Sequence, residues 1–426
     1  MNAPIGKYRW RIASLLFFAT TINYIDRQVL ALVATDDGFI RDVGLMGSDG
    51  KINKELFGYL DAAFKGAYAL GFLLMGNVLD KLGSKKGFSI SIVLWSIAAA
   101  GHALARSIFG LGIGRFFLGI GEAGNFPACV KTVAEWFPKK ERSFATGLFN
   151  AGSNIGAILA PLMVPFLVIQ YGWQSAFIVT GALGFIWLIF WIITYKKPEE
   201  HSKLSSEELA YINSDKEVEP KNKIGWFKLL TYKQTWAFAF GRMFTDPVWF
   251  LFLTWLPIFF KEEHNVDLKS MFIPMLVIYL ISDAGSILGG WFSSNLIKKG
   301  YTVNKARKLT MLICAIAVTP IFFASITSNI YIAIALISLA TAAHQAWSAN
   351  LLTTVSDSFP KSAVASVVGI GAMTGALMGM IVAALTGLIY QEFGPIPLFV
   401  FASCAYLPAL FLLNRFNKTL EPIEIK

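Results

Sequence analysis

Apolar stretches of spanning length recur along this chain, near 10–35, 56–79, 87–106, 108–130, 143–167, 172–195, 234–260, 271–297, 308–326, 329–353, 363–390 and 396–414. A bilayer core needs roughly 20 predominantly apolar residues per helix. Inside it every backbone polar group must be satisfied within the segment, which leaves a helix as the economical solution. The pattern therefore predicts an all-α membrane protein of twelve transmembrane helices embedded in a lipid bilayer. Composition agrees: 55% of residues are hydrophobic and 15% charged, where a soluble domain carries about a quarter charged.

Charge decides orientation. Lys7, Arg9 and Arg11 precede the first span; Lys81, Lys85 and Lys86 follow the second; Lys139, Lys140 and Arg142 follow the fourth. Lys298, Lys299, Lys305, Arg307 and Lys308 follow the eighth. Intervening loops are acidic or bare: 36–55 holds Asp36, Asp37, Asp42, Asp49 and Glu55 against Arg41, Lys51 and Lys54. By the positive-inside rule both termini are cytoplasmic, as an even number of spans requires. The same distribution argues against nucleic acid as the partner behind the net charge of +10. The first apolar run lacks a small-residue cleavage site and passes into Asn23, Tyr24, Asp26 and Arg27, so it reads as a retained helix rather than a signal peptide.

The longest polar stretch, 196–233, is rich in Lys, Glu and Ser and falls halfway along the chain. It reads as a cytoplasmic linker between a bundle over 1–195 and a second over 234–426, with room for a short amphipathic helix. Two six-helix halves of this kind place a binding site near midplane. Cys129, Cys314 and Cys404 lie in apolar stretches without metal-ligand spacing, so they read as small buried hydrophobes; no metal or cofactor is expected.

Charges inside spans are expensive and mark function by default. Asp26 and Arg27 are neighbours on the first span, pointing about 100° apart. Arg115 and Glu122 sit two turns apart, on one face and roughly 10 Å apart along the axis. Lys65 stands near Tyr68, Arg242 and Asp246 can pair at i, i+4, and Asp283 falls mid-span. An organic anion entering low dielectric needs a cation. The planar fork of an arginine meets a carboxylate with two parallel hydrogen bonds, and Arg27 is the first choice. The alternative is a structural ion pair with a neighbouring helix. A carboxylate out of water favours its neutral form, so Glu122 and Asp26 are the candidate proton carriers. Arg115 reads equally as architecture or as part of the coupling.

Polar and aromatic groups suited to a hydroxylated ligand lie within the same spans. Tyr24, Tyr68, Asn150, Trp249, His344, Gln345 and Ser348 are the substrate-binding candidates beside Arg27 and Lys65. Aromatic faces cover the apolar side of a sugar ring while convergent donors read its hydroxyls. Against this, Asn and Gln also glue membrane helices together, and His344 reads as a satisfied core histidine more readily than as a proton relay. Gly147, Gly152 and Gly156, and Gly369, Gly371, Gly375 and Gly379, would let helices pack closely. Pro247 is expected to kink the seventh span.

The loop after the second span, Gly76-Asn-Val-Leu-Asp80-Lys81-Leu-Gly83-Ser-Lys85-Lys86, fits G-x-x-x-D-[RK]-x-G-x-[RK], which resembles the loop signature of the major facilitator superfamily. Asp80, Lys81, Gly83 and Lys85 then read as gating residues: Asp80 against helix N-terminal dipoles, the lysines paired with acids, Gly83 turning the chain. A weaker echo, Gly289-Gly290 through Lys298-Lys299-Gly300, supports an internal repeat. Closer still is the resemblance of Asn23-Tyr24-Ile25-Asp26-Arg27, of Arg115 through Pro127 and of Glu135-Trp-Phe-Pro-Lys-Lys-Glu-Arg142 to the anion:cation symporter family, with bacterial hexuronate transporters nearest. Phe149 through Pro161, Trp173-Gln174-Ser-Ala-Phe177, Arg242-x-x-x-Asp246-Pro247-x-Trp249 and Ala343-His344-Gln345-Ala346 extend it over almost the whole chain.

That resemblance implies a non-enzymatic carrier of the bacterial inner membrane taking up a sugar acid with protons by alternating access; a monomer is expected. It places Arg27 on the substrate carboxylate and Asp26 and Glu122 on the protons. Lys65 departs from the family pattern, and an acid at Asp26 is a feature of sugar-acid carriers more than of hexuronate carriers. The substrate thus lies between hexuronates, such as galacturonate and glucuronate, and aldonates or aldarates. Sodium coupling or exchange are rivals for the mechanism. A membrane sensor is a rival in kind, although only a few residues follow Arg415. A membrane enzyme has no motif to support it.

Overall fold

The computed structural model describes residues 6–214, 226–421 and 423; the helical side chains at 73, 77, 80, 139, 140, 142–144, 226, 361, 362 and 365 lie outside that description. Helices account for most of the described residues, and none of these residues forms a strand. Nine helical stretches among them are long and apolar enough to cross a membrane: Lys81–Leu104, Ala145–Tyr171, Trp173–Thr194, Lys233–His264, Phe272–Lys298, Val303–Ser325, Ile330–Ser358, Ser366–Phe393 and Ile396–Phe416. These match nine of the predicted spans. The other three, near 10–35, 56–79 and 108–130, are helical too. They are the stretches that carry Asp26 and Arg27, Lys65, and Arg115 and Glu122.

The chain forms two compact units, one of Met1–Asp49 with Ala63–Glu219, the other of Gly50–Ala62 with Pro220–Lys426. The first holds α1 (Tyr8–Val33), α2 (Asp37–Asp42), most of α3 (Lys54–Gly101), α4 (Ile108–Glu122), α5 (Asn125–Trp136), α6 (Lys139–Tyr171), α7 (Trp173–Thr194) and α8 (Ser206–Ile212). The helix α3 reverses at Gly83, whose φ of 75° and ψ of 170° suit only glycine. Between α4 and α5 the helix breaks at Ala123–Gly124. Pro127 contributes here, because it has no N–H to offer the Ala123 carbonyl.

α1 packs on α5, α6 and α7. Its approach to α6 is set by glycine: a Cβ on Gly152 would strike the Phe17 carbonyl oxygen, and one on Gly156 the Thr21 carbonyl oxygen. Gly147 meets nothing within 4 Å and plays no part in that contact. α7 turns Trp173, Phe177, Thr180, Gly184, Trp187 and Trp191 inward at helical spacing. Trp187 donates to the Leu15 carbonyl at 2.8 Å and Trp191 to the Lys85 carbonyl at 3.2 Å. Its other face exposes Ile186, Ile189, Phe190 and Ile193. A helix apolar on both faces, with a face this hydrophobic left uncovered, belongs in lipid.

The acidic residues of Glu135–Arg142 brace the polar end of this unit. Glu135 accepts from Ser84 Oγ at 2.8 Å and from the Tyr195 hydroxyl. Glu141 takes two hydrogen bonds from Arg9, at 2.8 and 3.1 Å, and one from Tyr211 at 2.9 Å. Glu208 on α8 accepts from the Tyr8 and Arg9 backbone N–H groups, each at 3.1 Å, capping α1 with a carboxylate.

The second unit holds the first residues of α3, then α9 (Trp226–Leu229), α10 (Lys233–His264), α11 (Phe272–Lys298), α12 (Val303–Val318), α13 (Ile330–Ser358), α14 (Lys361–Phe393), α15 (Ile396–Cys404) and α16 (Tyr406–Phe416). α10 packs on α14 and α16, and α11 on α13. A Cβ on Gly285 would strike the Ala342 carbonyl oxygen and one on Gly371 the Phe238 ring. The α10–α14 pair therefore repeats the glycine-mediated logic of α1 and α6. α10 continues as one helix through Pro247 and Pro257. Cys129 and Cys314 are buried as expected, but Cys404 is exposed.

Candidate functional site

In unit 1 the structure brings α1, α3 and α4 together around one guanidinium. Arg27 Nε donates to Glu122 Oε2 at 2.6 Å, and the Glu122 side chain is wholly buried. The Arg27 guanidinium carbon lies 4.8 Å from the Tyr24 ring centre, 4.5 Å from that of Tyr68 and 5.8 Å from that of Phe64. Arg115 holds its own guanidinium carbon 4.3 Å from the centre of the Phe64 ring. Each desolvated cation–π contact of this kind contributes about 0.5–2 kcal/mol. The three rings surround the Arg27 guanidinium, whose Nε–H is given to Glu122.

Glycine makes the arrangement possible. A Cβ on Gly119 would strike the Phe64 carbonyl oxygen, and one on Gly121 would stand 2.6 Å from the Trp95 backbone nitrogen. With hydrogen in those places α4 lies directly against α3, and Glu122 reaches Arg27.

Several buried polar atoms here have no hydrogen-bond partner among the described residues: Arg27 Nη2, Glu122 Oε1 and both carboxylate oxygens of Asp26. Such groups cost about 1–3 kcal/mol each and cluster where a protein binds or reacts. Asp26 and Arg27 diverge as their helical spacing requires. Asp26 turns toward Thr180 of α7, without a hydrogen bond of good geometry, while Arg27 turns toward α4. Lys65 is buried on α3, and Asn150 is exposed on α6.

Unit 2 holds a second polar group. The rings of Trp249 and His344 stack with centres 5.0 Å apart and planes 3° from parallel. His344 Nδ1 lies 2.6 Å from the Tyr406 hydroxyl. Arg242 and Asp246 form the expected i, i+4 ion pair at 2.8 Å. Gly375 makes room for it, since a Cβ there would strike Asp246 Oδ2. Gln345 and Ser348 are half-buried on α13.

Of the loop residues, Gly83 carries the turn, Lys81 is exposed and Lys85 half-buried; the Asp80 side chain lies outside the described residues. Sequence reasoning missed Phe64, Thr180 and Tyr406. Phe64 was findable, because it precedes Tyr68 by one helical turn and so shares its face. Nothing in the apolar run around Tyr406 singles it out.

The profile of the Major Facilitator Superfamily matches residues 16–383. A hexuronate transporter of Escherichia coli (strain K12) is 34% identical over 403 residues, covering 92% of this chain and 90% of the relative. A galacturonate transporter of Dickeya chrysanthemi is 34% identical over 333 residues, covering 77% of this chain and 94% of the relative. Among solved structures, a bacterial homologue of the human lysosomal transporter Spinster, inward-facing and occupied, superposes with a TM-score of 0.75 at 18% identity, covering 97% of this chain and 98% of the other. The helical architecture, the charges held inside spans and these likenesses agree: the chain belongs to the major facilitator superfamily and is a membrane transporter, not an enzyme.

Proposed function

We propose that this transporter takes up a hexuronate, such as galacturonate or glucuronate, together with protons, by alternating access across a bacterial inner membrane with both termini in the cytoplasm. The observation that carries the reading is the Arg27–Glu122 ion pair, buried at 2.6 Å inside an aromatic cage. One guanidinium cannot give its best hydrogen bonds to two carboxylates at once. While Glu122 is charged it occupies Arg27. A proton on Glu122 cancels that charge and frees the arginine fork for the carboxylate of the substrate. Proton loading and anion loading are thereby linked through one residue, and loss of the proton on the other side expels the anion. Asp26, buried beside Arg27 and without a hydrogen-bond partner of its own among the described residues, serves as a second proton carrier. Tyr24, Tyr68, Lys65 and Asn150 in unit 1, and Trp249, His344, Gln345 and Ser348 in unit 2, supply contacts for the hydroxylated body. Asp80, Lys81, Gly83 and Lys85 form a cytoplasmic gate. The names of the relatives support the substrate class.

The test is uptake of labelled galacturonate and glucuronate into proteoliposomes with an imposed inward proton gradient. Wild type should accumulate the acid against its gradient, Arg27→Ala should lose transport, and Glu122→Gln should keep exchange alone. Accumulation driven by sodium would overturn the coupling. No transport of either acid beside transport of an aldonate or aldarate would overturn the substrate.

A further inference from the structure

Tyr406 opens α16, immediately past the break at Ala405, and its side chain has no exposure to solvent. Its hydroxyl has one hydrogen-bond partner among the described residues, His344 Nδ1 at 2.6 Å. The two rings stand 84° apart, so the phenol meets the imidazole at its edge. Trp347 packs on Tyr406 at 88° with ring centres 5.4 Å apart, and Trp249 covers a face of the imidazole. His344 is 4% exposed, and the structure gives its Nε2 no hydrogen-bond partner among the described residues.

The proton in the Tyr406–His344 bond can be assigned. A buried phenolic proton needs an acceptor, and Nδ1 is the one within reach. Were Nδ1 the donor instead, the tyrosine proton would be left without a partner in an apolar setting. Tyr406 therefore donates and Nδ1 accepts. A neutral imidazole that accepts at one nitrogen carries its proton on the other.

We propose that Tyr406 is a positioning residue that holds His344 as the Nε2–H tautomer, and that this N–H donates to an oxygen of the transported sugar acid. The Trp249 stack confines the ring to one plane and the Tyr406 bond fixes its rotation within that plane, so the donor points in one direction. Such a group selects a hydroxyl or carboxylate oxygen and rejects a cation or an alkyl group at the same place. The ligand half of this assignment rests on the sugar-acid uptake reading; the tautomer does not.

Two measurements test it. The first is nitrogen-15 NMR of the histidine-labelled full chain in lipid. The chain has four histidines, and loss of one signal set in His344→Gln identifies the residue. The expected spectrum has an unprotonated Nδ1 and a protonated Nε2 at His344, replaced in Tyr406→Phe by a mixture of tautomers. The second is galacturonate uptake. Tyr406→Phe, which keeps the ring and its packing, should raise KM about 5–10-fold with the maximal rate changed less than about twofold, the size of one hydrogen bond. In a His344→Ala background it should add nothing. A protonated Nδ1 in wild type overturns the tautomer. An unchanged KM in Tyr406→Phe of a transporting protein overturns the positioning role. A wild type that carries no sugar acid overturns the uptake reading and with it the ligand half, while the spectrum still decides the tautomer.

Discussion

Arg27 and Glu122 lie 95 positions apart in sequence and 2.6 Å apart in space. Neither is paired within its own helix, and each keeps a polar atom without a partner among the described residues, Nη2 on the arginine and Oε1 on the glutamate. A closed structural salt bridge would use both edges of the fork. This one uses Nε and leaves Nη2 without a partner among the described residues.

The aromatic cage makes the first prediction. Tyr68 presents its ring to Arg27 at 4.5 Å. Removing that face in Tyr68→Leu costs about 1–2 kcal/mol of cation–π interaction, so KM for the sugar acid should rise about 5–30-fold. Tyr68→Phe keeps the face and should stay within about threefold of wild type. Uptake kinetics in proteoliposomes check both.

Close packing of α1 on α6 makes the second. In Gly156→Val the new side chain must displace the Thr21 carbonyl and the Tyr24 Cβ, which lies 2.8 Å from where the added Cβ would stand. Overpacking of this kind costs about 1–3 kcal/mol and moves a residue of the cage, so thermal stability and apparent affinity should fall together. Gly147→Ala, with nothing within 4 Å, should be neutral or stabilising by about 0.5–1 kcal/mol. Melting curves in detergent and uptake assays separate the two.

The turn at Gly83 makes the third. Its φ of 75° and ψ of 170° lie in a region open only to glycine, and Gly83→Ala should cost of order 1–3 kcal/mol. Space is not the cause, since nothing lies within 4 Å of the added methyl. Gly76→Ala, equally unobstructed and without positive φ, is the control. Equal melting temperatures for the two variants would refute the backbone explanation.

A buried ion pair inside unit 2 makes the fourth. Lys54 Nζ lies 2.7 Å from Glu262 Oε2, with both side chains at most one-tenth exposed. The Lys54 ammonium also stands 5.0 Å from the Tyr390 ring centre, and its backbone N–H donates to Gln391 at 2.9 Å. Lys54→Met or Glu262→Met alone strands a buried charge and should destabilise by about 3–5 kcal/mol, whereas the double substitution should return close to wild type. Independent, additive losses in a double-mutant cycle would show that the two charges are not coupled.

Individual elements show how far the chain could be read before folding. Apolar runs announced helices wherever charge was sparse, as in Trp173–Thr194 with its inward tryptophans and outward isoleucines. The pairing of Arg242 with Asp246 was legible because a helical turn brings i and i+4 together whatever surrounds them. Gly83 was legible for a similar reason, since its conformation is a property of the residue itself. Other outcomes depended on neighbours. Cys404 turned outward while Cys129 and Cys314 turned in.

The linear order of residues is enough to establish that this chain is a helical membrane protein, which charges it places inside spans and which family it resembles. Local rules suffice for these, because hydrophobic length, helical period and loop charge act over a few residues. Only in the folded chain does Arg27 meet Glu122 while Asp26 turns to α7, Phe64 serve two arginines, and Tyr406 hold His344. Each of these joins residues from different helices, and the distance between helices is fixed by where glycine lets backbones touch, a sum over contacts that no single stretch of sequence contains.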